Sequence, residues 1–177
     1  VIFRSTSLPD GEMGIEYYEK LDVYGDTGGN TWVLTGGRLP SGLTLDGSTG
    51  EITGIPETAG GFSATIEVRN THHHWSQEFF IQIHLPVSIT TESLPDATVG
   101  EQYIEAVNII GNAPTYTWTV TEGALPDGLQ MSEGNGTIHG TPATAGTYEF
   151  TVQVDDGFGT DTRTLSITVL ETPAETP

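Results

Sequence analysis

The sequence predicts an all-β protein made of two β-sandwiches in tandem, with about seven short strands in each. Three observations carry this. One set of motifs recurs at a constant offset. Apolar residues alternate with a period of two. Turn-forming residues are dense, with 23 Gly and 10 Pro in 177 residues, and no window has helical periodicity.

The repeat is read first. Ser7-Leu8-Pro9-Asp10 returns 86 residues later as Ser93-Leu94-Pro95-Asp96. The same offset carries Gly14 and Tyr17 onto Gly100 and Tyr103, and Trp32 onto Trp118. It carries Leu39-Pro40 onto Leu125-Pro126 and Gly42-Leu43 onto Gly128-Leu129. Ile52, Gly54 and Pro56 map onto Ile138, Gly140 and Pro142, and Thr58-Ala59-Gly60 onto Thr144-Ala145-Gly146. No insertion interrupts the match. The shared positions are apolar or turn-forming, which describes a shared fold with free surfaces. The expected domains are 1–85 and 86–170. Residues 171–177, rich in Pro, Thr and Glu, read as a linker tail.

Strands follow from alternation. In the first copy they are expected at Val1–Ser5, Tyr17–Val23, Trp32–Thr35, Leu43–Leu45 and Glu51–Thr53. Two longer ones run through Phe62, Ala64, Ile66 and Val68, and through Phe79, Ile81 and Ile83. In the second copy Tyr148, Phe150, Val152 and Val154 alternate with polar residues, as do Leu165, Ile167 and Val169. Asp46-Gly47-Ser48-Thr49-Gly50 and Ser132-Glu133-Gly134-Asn135-Gly136 suit hairpin turns. A seven-strand count with a large aromatic on a central strand, Trp32 or Trp118, is that of an immunoglobulin-like sandwich. Tyr148 stands where a tyrosine corner would, and Phe62 at the matching place has no hydroxyl to offer.

Composition limits what the chain can do. No Cys is present, so disulfides, zinc-thiolate sites and thiol nucleophiles are excluded. The net charge of −19, from 24 acidic and 5 basic residues, repels nucleic acid and anionic membranes. No stretch approaches the ~20 apolar residues of a membrane span, so no membrane insertion by this segment is expected. The opening Val1-Ile2-Phe3 reads as a strand and not as a signal peptide, and the segment is expected to belong to a longer protein. No G-x-S-x-G, P-loop or H-E-x-x-H motif occurs. No catalytic residue is expected and the chain does not read as an enzyme.

The run Leu94-Pro95-Asp96, Tyr116-Thr117-Trp118, Leu125-Pro126-Asp127-Gly128-Leu129, Gly136-Thr137-Ile138-His139-Gly140-Thr141-Pro142 and Ala145-Gly146-Thr147-Tyr148 resembles the putative-immunoglobulin and dystroglycan-type cadherin-like modules of microbial surface proteins. The resemblance covers each copy whole, and the second copy fits better. It implies tandem immunoglobulin/cadherin-like β-sandwiches on an extracellular or cell-surface protein. Spacing, adhesion or service to a secreted enzyme are the roles it implies. The expected partners are other domains of the same polypeptide and a cell-surface protein or a carbohydrate.

Two places carry candidate chemistry. Asp155, Asp156 and Asp161 bracket one hairpin loop, and several oxygens together are what calcium requires; the plain alternative is a set of solvated turn residues. The linker Leu85-Pro86-Val87-Ser88 lacks the Asp/Asn cluster of cadherin calcium joints. In the first copy the same loop is replaced by His72-His73-His74-Trp75. His72 and His74 fall on one side of an extended chain and suit a transition metal. Trp75 beside polar groups suits stacking on a sugar or docking on a partner. The plain alternative there is a hairpin tip with Trp75 folded onto the sandwich. Asn135-Gly136-Thr137 also fits the glycosylation sequon.

Overall fold

A computed structural model describes residues 2–25 and 28–173. The chain divides into two compact units, residues 1–85 and 86–177, each with its own core. The first unit contains β1 (Ile2–Phe3), β2 (Gly11–Glu12), β3 (Tyr17–Lys20), β4 (Val23–Tyr24), β5 (Thr31–Gly37), β6 (Leu43–Leu45), β7 (Glu51–Gly54), β8 (Gly60–Arg69) and β9 (His74–His84). The second contains β10 (Ser88–Ile89), β11 (Ala97–Thr98), β12 (Tyr103–Ala106), β13 (Ile109–Ile110), β14 (Thr117–Gly123), β15 (Leu129–Met131), β16 (Thr137–Gly140), β17 (Gly146–Asp155) and β18 (Thr160–Leu170). Every strand of the first has its counterpart in the second at the repeat offset.

In the first unit one sheet runs β2-β9-β8-β5 and a second runs β3-β7-β6, with β1 paired to β4. The second unit repeats this as β11-β18-β17-β14, β12-β16-β15 and β10-β13. All pairings are antiparallel except β2 with β9 and β11 with β18. These two short parallel pairs were not expected from the sequence, because two residues cannot display a period. The expected single strand Tyr17–Val23 is also broken. Leu21 turns its N–H to the Gly50 carbonyl at 3.0 Å and is buried. Asp22 then takes Arg4 and Ser5 N–H groups on its carbonyl at 2.8 and 3.3 Å. This one split, with the unexpected β2, turns the expected seven strands into nine. Val1, at the start of the first expected strand, and residues 174–177 of the expected tail lie outside the described residues.

The alternation places Phe62, Ala64, Ile66 and Val68 inward on β8, against Phe79, Ile81 and Ile83 on β9. Trp32 and Trp118 each sit in a core as expected. Phe3 meets the rings of Trp32 and Phe79 edge-on at 5.7 and 5.2 Å, a favoured aromatic geometry. Gly50 and Gly136 explain their own recurrence. Each has positive φ, 75° and 68°, and lies on the face of its indole, where a Cβ would approach within 2.5 Å of Trp32 and 2.6 Å of Trp118. Gly42 and Gly128, with φ of 90° and 92°, close turns in which Leu43 and Leu129 donate to the Pro40 and Pro126 carbonyls at 3.0 Å.

The Ser-Leu-Pro-Asp motif has a structural cause. The Tyr17 hydroxyl donates to the Pro9 carbonyl at 2.9 Å, and Tyr103 to Pro95 at 3.1 Å. Each bond ties the segment before β2 or β11 to the sandwich. Burial pushes the Tyr103 phenol up to about 12, and Tyr17 higher still. The tyrosine corner is present as well: Tyr148 donates to the Thr144 carbonyl at 3.1 Å. At the matching place Phe62 carries the Arg38 guanidinium over its ring at 5.6 Å, a cation–π contact in place of the hydroxyl bond.

Candidate functional site

The two loops singled out in the sequence, β8–β9 and β17–β18, occupy the same position in their units. Their turns share one device. Asn70 accepts on Oδ1 from the His72 and His73 N–H groups at 3.1 and 2.9 Å. Asp156 accepts on Oδ1 from Phe158 and Gly159 at 3.0 and 2.9 Å. Asn and Asp side chains form such turns with their own following backbone. The chain closes alike in both, with Asn70 N–H on the His73 carbonyl and Asp156 N–H on the Gly159 carbonyl.

Each of the three candidate calcium ligands has one carboxylate oxygen engaged by the protein itself. Asp155 accepts from the Gly157 N–H at 2.7 Å, and Asp156 caps its turn as described. Asp161 projects from β18 and accepts the Ile89 N–H at 2.7 Å. Two residues on, Arg163 donates to the Ile89 carbonyl at 2.9 Å. Together these two side chains grip both backbone groups of one β10 residue, as a ladder partner would. The structure therefore does not gather Asp155, Asp156 and Asp161 into one ligand set. Among the described residues no group of three or more His, Cys, Asp or Glu is placed to hold a metal. The Asp161–Arg163 grip was missed in the sequence, because its target is a backbone group 72 positions away.

At the Asp161 position the first unit has Trp75, 47% exposed. Gln77, in place of Arg163, donates to the Ser5 carbonyl at 3.1 Å. Trp75 pairs with Val68 across the ladder; it rises from the inward-facing row of β9 but lies beyond the core. The tip that precedes it is exposed at His72, His73 and His74. The His72 and His73 rings are 6.5 Å apart and nearly perpendicular. His74 opens β9, opposite Arg69. Arg69 in turn pairs with Glu67, which also accepts from Ser76 at 3.2 Å. Hydrogen bonding from Arg69 holds the Glu67 carboxyl below its ordinary value. The first unit thus ends in an exposed aromatic among imidazoles, while the second ends in side chains locked onto their own backbone.

Phe80, 57% exposed on β9, has a different explanation. Its ring covers Gly61, where a Cβ would come within 2.8 Å. The second unit has Thr147 and Ser166 at those positions. An aromatic laid over a strand glycine compensates for the missing side chain, so Phe80 is part of the fold. Asn135 of the sequon is also engaged locally, accepting from the Thr137 N–H at 3.0 Å.

Over residues 6–84 and again over 86–170 the chain matches the family described as "Putative Ig domain". It is 31% identical over 151 residues to the "Serine-rich adhesin for platelets" of Staphylococcus aureus strain MRSA252, covering 78% of this chain and 10% of that protein. The adhesin of strain USA300 is 30% identical over the same length, with 6% of that protein covered. The chain therefore spans a tenth or less of these relatives. Among solved structures it is similar to an I-band fragment of titin, with TM-score 0.59 and 18% identity over 96% of this chain and 65% of that one. It is also similar to extracellular domains 3–5 of Drosophila OTK, with TM-score 0.57 and 14% identity over 92% of this chain and 59% of that one. At such identities the likeness is one of fold. With both halves matched in full and both folded as the match requires, the chain belongs to the Putative Ig domain family, as two consecutive members.

Proposed function

We propose that the chain is a non-enzymatic adhesive module of a larger extracellular or cell-surface protein, in which the first domain makes the contact through the β8–β9 tip. One observation carries this reading. Two units with the same strands and the same turn device put different side chains on their β8–β9 and β17–β18 tips. The second uses Asp161 and Arg163 to hold its own β10, while the first presents His72, His73, His74 and Trp75 outward. An exposed Trp with polar neighbours is the group from which a carbohydrate or protein contact is built. The similarity to a staphylococcal adhesin supports the reading. So does the acidic surface, which suits neither nucleic acid nor anionic lipid. No helix among the described residues is long and apolar enough to cross a membrane.

The test uses the two-domain chain on a biosensor against arrays of glycans and immobilised cell-surface glycoproteins. Specific retention on some member of the panel, weakened about tenfold or more by Trp75→Ala and less by His72→Ala with His74→Ala, is expected. Retention by none of the panel, or retention that Trp75→Ala leaves intact, would overturn it.

A further inference from the structure

We propose that the open side of the first domain is a second docking site, a groove for an extended peptide segment that adds to β5 and brings a carboxylate to Arg38. The site is separate from the β8–β9 tip. β5 is the outermost strand of one sheet and β6 of the other. Between them lies a cleft of about 620 Å³ with Trp32, Leu34, Leu39, Leu43 and Leu45 in its lining. A second cleft, of about 450 Å³, reaches Thr58 and Phe62 and shares Arg38, Leu39 and Ser41 with the first. Arg38 thus lines both clefts, which together make up the trough.

The backbone of β5 is set to pair. Trp32 donates its N–H away from β8, to the Gly47 carbonyl at 2.9 Å. Leu34, two residues on, presents its N–H and C=O to the same side by the ladder's alternation. Its side chain is 40% exposed on the trough. An uncharged edge strand with apolar neighbours is a template for strand addition. β5 contains no charged residue.

Arg38 states the charge of the occupant. Acidic residues outnumber basic ones 24 to 5. Arg163 is engaged by the Ile89 carbonyl, and Arg4, Lys20 and Arg69 each have a carboxylate partner. Among the described residues Arg38 has none; its guanidinium is held against the Phe62 ring instead. A guanidinium kept in place beside an apolar trough is ready for a two-pronged bond to a carboxylate. A second copy of this chain, pairing through β5, would bring no carboxylate on that strand. The second domain keeps the edge strand but reverses its charge. Gly36, Arg38 and Ser41 become Glu122, Ala124 and Asp127, so its edge carries acids and no cation, a common protection of free edges.

The experiment titrates the ¹⁵N-labelled two-domain chain with three acetylated peptides of alternating Val and Thr. One has Asp near its end, one has Lys in that place, and one has the Asp and a central Pro. The Asp peptide is expected to shift the amide signals of Trp32 to Leu34 and Leu43 to Leu45. The Lys peptide should bind at least about tenfold more weakly, and the Pro peptide not measurably. Arg38→Ala and Gly36→Glu should each weaken the Asp peptide about tenfold, while Trp75→Ala should have no effect. Equal binding of the Asp and Lys peptides would overturn the proposal, as would shifts confined to other strands. Shifts at β5 that depend on protein concentration without peptide would overturn it in favour of a second copy. Should either variant unfold, the Asp and Lys peptides against the unaltered chain still decide.

Discussion

Gly136→Ala should destabilise the second domain severely while Gly134→Ala, in the same turn, should not. An added Cβ at Gly136 would lie 2.6 Å from Cε2 of Trp118 and 2.8 Å from two further ring atoms. The indole is 2% exposed and packed on all sides, so it cannot give way cheaply. Forcing extra volume into a filled core costs about 1–3 kcal/mol. The φ of 68° adds about 1–2 kcal/mol for a residue with a Cβ. Together that is about 2–5 kcal/mol. At roughly 4–8 °C per kcal/mol for a domain of this size, melting should fall by about 10 °C or more. At Gly134 a Cβ meets nothing within 4 Å. The assay is a thermal series of amide spectra, using the fully buried Ile138 and Ile52 as separate reporters of the two domains. Gly50→Ala should produce the mirror result, with Ile52 lost first. A Gly136→Ala protein melting within about 3 °C of the parent would refute the reasoning, and so would a Gly134→Ala protein equally damaged.

Asp161→Ala should cost the second domain about 1.5–3 kcal/mol, because it removes a charged acceptor and leaves the N–H of buried Ile89 without it; Trp75→Ala should change first-domain melting by less than about 1 kcal/mol, as for a half-exposed site. Chemical denaturation of the two variants compares them directly, and equal losses would contradict the different roles assigned here. Asp46 is held down to about 2 by hydrogen bonds from the Ser48 hydroxyl and N–H and the Thr49 N–H. Its folded pKa lies below the ordinary 3.8, so its contribution is complete above that value and disappears as pH falls toward 2. Acid melts between pH 5 and 2 should therefore show a loss in the first domain that Asp46→Ser, the second domain's residue at that place, reduces. Calcium should leave melting unchanged relative to chelator, since Asp155, Asp156 and Asp161 already serve backbone N–H groups; a rise of several degrees would show that a native-state ligand site exists after all.

Much of the fold was legible because the core is written in alternation. Phe62 to Val68 and Tyr148 to Val154 announce both the strand and its inward face. Trp32 and Trp118 announce a core aromatic, but the strands that carry them, β5 and β14, lie at the sheet edge and not at its centre as expected. The turn glycines at 42, 50, 128 and 136 are legible through their recurrence. The two-residue strands were not legible, since β2 and β11 owe their existence to main-chain bonds with β9 and β18. Tyr17 and Tyr103 could have been found, because each persists beside a recurring Ser-Leu-Pro-Asp while its neighbours vary. The candidate sites were legible only as residue types. Asp161 reads alike as a calcium ligand or as a backbone acceptor, and only its distance to Ile89 decides. Arg38 gave no signal in the sequence, because its interest lies in what it does not pair with.

The parallel pairing of β2 with β9, and of β11 with β18, determines how each domain carries tension. The chain leads into each domain ahead of the first strand of the pair and leaves after the second. Because the two run the same way, opposite pulls on the domain's ends slide them along each other. The bonds between them, with those from Met13 N–H to the His84 carbonyl and Val99 N–H to the Leu170 carbonyl at 3.0 and 2.9 Å, are then strained together and not opened in turn. Each domain is a lap joint, and a stalk assembled from such domains would yield at a threshold force rather than unravel steadily. Single-molecule stretching of the tandem should show two discrete unfolding events, with Met13→Pro lowering the force of one of them.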